Sequence, residues 1–319
     1  VRTLAPGTSW EQARALCRGL RVLVDGEPVA DPVFRPDPAS RVELAGGVGA
    51  GANAPPAPPR LPSLVVYSDA DVVVVRKPAG MMTVPFERGD RDTLLALVRV
   101  ALRRLEANRA AAAVPGAGGA GSMRSTRSTG RVAKSTLRAV QRLDKETSGL
   151  LVFARTVAAQ RSLQLQLENR EVVRRYEALA HGAVEAAVHD TWLVEDRGDG
   201  RRGSLRQPAT AGDMSGARQA VTRVWPLEAL RGATRVACEL ETGRQHQIRI
   251  HLAEAGHPLL GETVYIRDYR GKPLAAPRPM LHAAVLGFRH PRDGRVLRFE
   301  DPPPDDFAAV LARLRRGAR

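Results

Sequence analysis

The sequence predicts an α+β protein: a large domain on a mixed, mostly antiparallel sheet, preceded by a small α+β unit. Three observations carry that expectation. Short apolar strand-type runs dominate residues 63–319. They are joined both by hairpin-like turns and by amphipathic helical stretches, which fits neither an all-parallel nor an all-helical fold. Gly46–Pro62 (GGVGAGANAPPAPPRLP) is rich in Gly, Ala and Pro without periodicity and reads as a linker between the two units.

The first unit covers residues 1–45. Ser9-Trp10-Glu11-Gln12 fits a capping box, and Trp10, Ala13, Leu16, Cys17 and Leu20 follow at helical spacing. Arg21–Asp25 (RVLVD) alternates as a strand, Asp25-Gly26 turns the chain, and Arg41–Leu44 supplies another short strand. A helix ending in a basic residue and followed by RVLVDGEPVADP resembles the C-terminal half of an S4-type RNA-binding module. The likeness covers about 35 residues and lacks the module's usual first helix. It implies a helix-and-hairpin surface that grips RNA backbone.

In residues 63–319, strands Leu64–Tyr67 and Val72–Val75 flank the turn Ser68–Asp71. Asp92 or Thr93 then caps a helix with Leu94, Leu95, Leu97, Val98, Ala101, Leu102 and Leu105 on its apolar side. Residues 106–133 are an Ala/Gly/Ser/Thr/Arg tract without a core pattern and read as a low-complexity insertion. Gln141–Ala154 (QRLDKETSGLLVFA) sets a carboxylate, Asp144, in a loop just ahead of a buried strand. Thr156 caps a helix to about Asn169, with Ala159, Leu163 and Leu167 stacked at four-residue steps. Val172–Ala180 is a strand with Tyr176, Ala178 and Ala180 on one face. After an Arg/Gly/Asp-rich loop at roughly 195–216 come strands Gln219–Trp225 and Thr234–Glu241. TGRQHQIRIHLAEAGHPLLGE runs from a strand end into a helix that stops at Gly256. Met280–Phe288 is a late strand, and Asp306–Arg315 a closing amphipathic helix.

Net charge is +15 and pI about 11.1, which favours a polyanionic partner. Among 49 basic residues only Lys77, Lys134, Lys145 and Lys272 are lysines. The rest are arginines, whose planar fork suits phosphate contacts and base stacking. Nucleic acid is favoured over a membrane, because there is no basic amphipathic helix with a bulky apolar face and no apolar run near the length of a span. Aromatics at 4% argue against a sheet of stacking rings. The N-terminus has no signal-peptide pattern, and the chain begins at Val1 rather than Met, compatible with a missing upstream piece. Cys17 and Cys238 lie far apart with no metal-ligand spacing, so buried free thiols and a cytoplasmic location are expected. No phosphate-binding glycine motif implies a nucleotide cofactor, and the histidines lack HExxH spacing, so no metal site is expected.

Two segments concentrate the charge. Asp144 has Arg142 two residues before it and the Thr147-Ser148-Gly149 turn after it. A loop residue held by a rigid strand is a natural place for chemistry, although an Asp there also simply orders turns. Arg244, His246, Gln247, Arg249 and His251 crowd a segment that must also hide Ile248 and Leu252. On a helix, Ile248, Leu252 and Ala255 share one face while His246 and Arg249 share the other. A carboxylate in a cleft beside a guanidinium stays ionised, which suits a nucleophile or a base better than a general acid. No second carboxylate pairs with it, which weakens a glycosidase reading.

These residues resemble the RluA family of pseudouridine synthases. The family's H-R-L-D-x-x-T-S-G pattern is matched by Gln141-Arg142-Leu143-Asp144 and Thr147-Ser148-Gly149. Its G-R-x-H-Q-I-R-x-H pattern is matched by Gly243, Arg244, His246, Gln247, Ile248, Arg249 and His251. Lys77-Pro78-Ala79-Gly80, the strand around Tyr176, Gly256-His257-Pro258 before Leu260-Gly261, and Leu281-His282-Ala283 follow in family order, from about Leu64 to Phe307.

The resemblance implies isomerisation of uridine to pseudouridine in RNA without cofactor or metal. It implies Asp144 as catalytic carboxylate, Arg249 as its salt-bridge partner, and Tyr176 as the ring packed on the target uracil. Whether Asp144 attacks the sugar or removes a ribose proton stays open. Arg142 is expected to fill the space left by the flipped base, and Gln141, Arg244, His246 and Gln247 to contact RNA. Gln141 departs from the family, which commonly has His there; it can hydrogen-bond but not carry charge, which bears on the choice of RNA. The S4-like unit favours structured large-subunit ribosomal RNA, with transfer RNA second, and a monomer is expected. An RNA-binding assembly factor without turnover and a glycoside-cleaving enzyme are the competing classes.

Overall fold

The computed structural model describes residues 22–25, 27–28, 41–44, 64–85, 92–112, 137–205 and 216–316. The chain divides into two units, Val1–Pro58 and Pro59–Arg319. In the first, β1 (Val22–Val24), β2 (Glu27–Pro28) and β3 (Val42–Leu44) form an antiparallel sheet in the order β2-β1-β3. Asp25 follows β1 with a positive φ of 52°, which Asp tolerates, and accepts a 2.8 Å hydrogen bond from the Arg41 N–H. The expected helix around Trp10 and the linker at 46–62 lie outside the described residues.

The second unit is built on one 11-stranded sheet. Its strands are β4 (Val65–Ser68), β5 (Val72–Lys77), β6 (Arg138–Ala139), β7 (Ser148–Ala154), β8 (Val173–His181) and β9 (Ala187–Val194). They continue with β10 (Gly203–Ser204), β11 (Arg218–Leu230), β12 (Ala233–Leu240), β13 (Leu281–Arg289) and β14 (Val296–Glu300). The order is β10-β9-β11-β12-β8-β13-β7-β5-β4, with β14 on β13 and β6 on β7. Among these strands only β13 and β7 run parallel, so the sheet is mixed and mostly antiparallel, as expected.

Among the described residues, four helices cover the sheet: α1 (Leu94–Ala112), α2 (Val157–Glu168), α3 (Gln247–Glu254) and α4 (Asp305–Arg316). Strand alternation sorts the core between faces. Val73, Val75, Leu151 and Phe153 pack with Leu94, Val98 and Leu102 of α1 and with Ile248 and Leu252 of α3. Val72, Val74, Leu150 and Val152 pack with Ala159 and Leu163 of α2. This is why Val72–Val75 and Leu150–Phe153 are continuous apolar runs: both of their faces are covered. Phe307, Val310, Leu311 and Leu314 of α4 close a further cluster over Leu179. Thr156 caps α2 by accepting a 3.0 Å hydrogen bond from the Ala159 N–H.

Three details differ from the sequence expectation. α1 continues to Ala112, so the tract at 106–133 is helical in its first seven residues. Leu105–Ala112 (LEANRAAA) is made mostly of strong helix formers, and Ala107 and Asn108 are exposed, which fits the missing core pattern at those positions. Glu106 beside them is half-buried and pairs with Arg155 at 2.5 Å. β9 and β14 carry little sequence signal, because much of each is exposed and lacks an apolar pattern. β11 runs on to Leu230 through a register shift between Pro226 and Glu228.

Candidate active site

A single cross-strand row organises the site. Cys238 of β12 faces Tyr176 of β8, Tyr176 faces Ala283 of β13, Ala283 faces Gly149 of β7, and Gly149 faces Lys77 of β5. The parallel β13–β7 contact is close: a Cβ at Gly149, whose φ is +114°, would overlap the Ala283 backbone. Glycine is required there on both counts.

The loop ahead of β7 is held from two sides. Lys77 is buried, and its ammonium donates to the carbonyls of Thr147 at 2.7 Å, Lys145 at 2.8 Å and Pro78 at 3.0 Å. Burial lowers its pKa to about 7, against the pull of Glu146 and Asp144. On the other side the Thr83 hydroxyl donates to the Leu143 carbonyl at 2.9 Å and accepts from the Leu143 N–H at 3.2 Å. Asp144 sits between these clamps, and its own carbonyl accepts from the Thr147 N–H. Its carboxylate accepts no hydrogen bond among the described residues.

α3 brings the second dense segment to the same place. It starts from His246 in a left-handed conformation, φ 60°. Arg249 lies one turn in, 3.8 Å from the Asp144 carboxylate. Its guanidinium is clamped in two-pronged fashion on Glu262, through Nε and Nη2 at 2.7 Å each. Burial works against both charges, but their mutual hydrogen bonds prevail, raising Arg249 and lowering Glu262. Glu262 also accepts the backbone N–H groups of Thr263, Val264 and Tyr265. The Arg249 guanidinium stands 5.3 Å from the Tyr265 ring centroid, and the Tyr265 hydroxyl meets His246 Nδ1 at 2.8 Å.

Asp144, Arg249 and Tyr176 line one cavity of about 720 Å³, together with Gln141, Arg142, Arg244, His246 and Gln247. All eight residues singled out from the sequence therefore converge. Their settings differ. Burial pushes the Tyr176 hydroxyl up to about 12, with Arg174 opposing and Asp144 adding, so it is a neutral phenol. Arg142 is exposed, with no side-chain hydrogen bond or ion pair among the described residues. Arg244 is exposed and donates through Nε to the Gln219 carbonyl at 3.0 Å. Burial lowers the pKa of His246, against Asp144.

Gln247 behaves otherwise. It is only 2% exposed, and its carboxamide oxygen accepts from the Thr242 hydroxyl and the Arg244 N–H. Its nitrogen donates to the Val221 carbonyl and the Thr222 hydroxyl. All four capacities are used within the protein, so Gln247 builds the cavity wall rather than reaching out of it.

Glu262, Tyr265 and the loop-holding role of Lys77 are not evident from the sequence. Lys77 has a signal, a lysine at an inward position of an apolar strand. As for metal-ligating groups, Asp69, Asp71 and His290 gather within 4.8 Å outside this cavity. They are engaged with Tyr67, Arg292 and Arg295.

Two solved structures share the architecture. Human RNA pseudouridylate synthase domain containing 4 superposes with a TM-score of 0.57 at 22% identity, covering 80% of this chain and 95% of that one. Human RNA pseudouridylate synthase domain containing 1 gives 0.53 at 23%, over 77% and 86%. The fold is that of the pseudouridine synthases. Residues 71–254 match the family described as RNA pseudouridylate synthase. Ribosomal large subunit pseudouridine synthase D of Neisseria meningitidis is 36% identical over 79% of this chain and 61% of its own length. The protein of that name from Vibrio cholerae is 34% identical over 81% and 73%, and "uncharacterized RNA pseudouridine synthase YlyB" of Bacillus subtilis 36% over 79% and 73%. The chain belongs to the RluA family of RNA pseudouridine synthases.

Proposed function

We propose that the chain converts uridine to pseudouridine in large-subunit ribosomal RNA, acting as a cytoplasmic monomer. The observation that supports the reaction is the meeting, in one cavity, of a carboxylate that accepts no hydrogen bond among the described residues, a clamped guanidinium and a buried tyrosine. The ribosomal target follows the names of the relatives from Neisseria and Vibrio.

A base inside a helix is out of reach, so the uridine turns out of the stack, at a cost of about a few kcal/mol. Arg142, exposed at the mouth of the cavity, enters the vacated space, where its plane stacks and its N–H groups reach phosphate. Asp144 then acts on the ribose as nucleophile or base, and the N1–C1′ bond breaks. Uracil turns against Tyr176, and C5 bonds to C1′ as the Asp144 ester breaks or the ribose proton returns. The C5 proton passes to solvent through the neutral tyrosine hydroxyl, which gives up its own as it takes this one. Arg249 stabilises the Asp144 carboxylate throughout, and the S4-like unit grips RNA backbone elsewhere.

Pseudouridine mapping tests the target. Ribosomal RNA from a strain lacking the gene is compared with that of its parent. Loss of one or a few large-subunit pseudouridines, restored by the wild-type gene and not by Asp144→Asn, is the expected result. Loss confined to transfer RNA overturns the ribosomal assignment, and an unchanged map overturns the reaction.

A further inference from the structure

Arg174 has a setting unlike that of the other described arginines. It lies on β8 two residues before Tyr176, faces the same side of the strand, and lines the same cavity. It is 8% exposed and makes no ion pair among the described residues. Nη2 donates to the carbonyls of Leu240 at 3.2 Å and Glu241 at 3.0 Å. Nε is buried without a partner, alone in this among side-chain atoms of the described residues. Nη1 lies against Gly243, where a Cβ would stand 2.5 Å away. Glycine therefore leaves the guanidinium its place.

The electrostatics match. Burial weakens the hold of Arg174 on its charge, and neighbouring Arg244, another cation, adds to this. Two guanidinium groups at one wall, with no described carboxylate paired to Arg174, form a receptor for an anion. A uracil carbonyl could accept a hydrogen bond here but could not neutralise the pair.

We propose that Arg174, with Arg244 beside it and Gly243 clearing its position, binds the phosphodiester next to the uridine that enters the cavity. The inference rests on reading this cavity as the RNA site. Two residues along a strand span about 6.7 Å, so a base against Tyr176 leaves its backbone near Arg174.

The test measures binding of an unmodified large-subunit ribosomal RNA transcript to the full chain over a series of salt concentrations. Arg174→Gln is expected to weaken binding about tenfold, the loss of a charge-assisted contact. The slope of log affinity against log salt is expected to fall in magnitude by about 0.7–0.9, one phosphate. Gly243→Ala moves the guanidinium without removing it, and is expected to melt near the wild type while KM rises more than kcat falls. A folded Arg174→Gln protein with wild-type slope overturns the proposal. If Arg174→Gln does not fold, wild-type RNA affinity in Gly243→Ala overturns it instead. A lowered slope in a protein that makes no pseudouridine supports the phosphate contact and overturns the synthase reading alone.

Discussion

Arg249 is held to Glu262 by two 2.7 Å hydrogen bonds and stands off from Asp144 at 3.8 Å. The guanidinium thus faces the candidate catalytic carboxylate without closing on it. Glu262, inside the fold, fixes where the positive charge sits, and the Asp144 oxygens accept no hydrogen bond among the described residues.

Glu262→Ala leaves a buried guanidinium without its main partner and three backbone N–H groups without their acceptor. Urea unfolding is expected to show a loss of about 3–5 kcal/mol. Glu262→Gln keeps the shape and removes the charge, freeing Arg249 to close on Asp144. Its kcat is expected to fall about 10²-fold, as a misplacement of about 1 Å does, with a smaller change in KM. Unchanged kcat in a folded Glu262→Gln protein contradicts the positioning role.

Tyr176→Phe keeps a ring of the same size in the core and removes only the hydroxyl. Single-turnover kinetics are expected to show a loss of about 10²–10⁴ in rate, the scale of a positioned proton-transfer group. Binding of RNA should hardly change. Equal rates for Phe and Tyr would leave the ring with a packing role alone.

His251 reports on the stability of the α3 segment. It is buried, with Thr222 at 2.9 Å on one ring nitrogen and Thr191 at 3.0 Å on the other. Burial lowers its pKa to about 4, the neighbouring His189 adding to this and Asp190 opposing. An unfolded chain binds that proton near pH 6.5, so between about 6.5 and 4 the unfolded state holds more protons and stability falls as pH falls. Between pH 7 and pH 5 the wild type is expected to lose about 2 kcal/mol more than His251→Gln. The same pH slope for both proteins in urea unfolding contradicts this.

Much of the site is legible in the amino-acid sequence. Asp144 stands out because a polar turn precedes an apolar run. Tyr176 shares a strand face with Ala178 and Ala180, and Arg249 stands in a polar run that must also hide Ile248 and Leu252. The helix face expected for Arg249 and His246 does not form, because His246 is the left-handed residue just before the helix. What the chain does not spell out is which charges answer one another across the fold. Glu262 looks like the end of a loop, and only folding buries it against Arg249. Gln247 sits in a strongly polar motif, yet Thr242, Arg244, Val221 and Thr222 consume its amide. Arg174 is one arginine of many in the sequence, and its isolation arises where β8 and the Gly243 turn meet. The exposed strands β9 and β14 are hidden for a plainer reason, since much of each carries no core side chains.

Asp144 is expected to drive the isomerisation of uridine in RNA. The most direct test is tritium release from RNA labelled at uridine C5, since that hydrogen leaves only when the new carbon–carbon bond is made. Wild-type protein is predicted to release label from ribosomal RNA, and Asp144→Asn, folded and binding RNA as before, to release none. Release by Asp144→Asn at the wild-type rate, or none by the wild type on any cellular RNA, contradicts the claim.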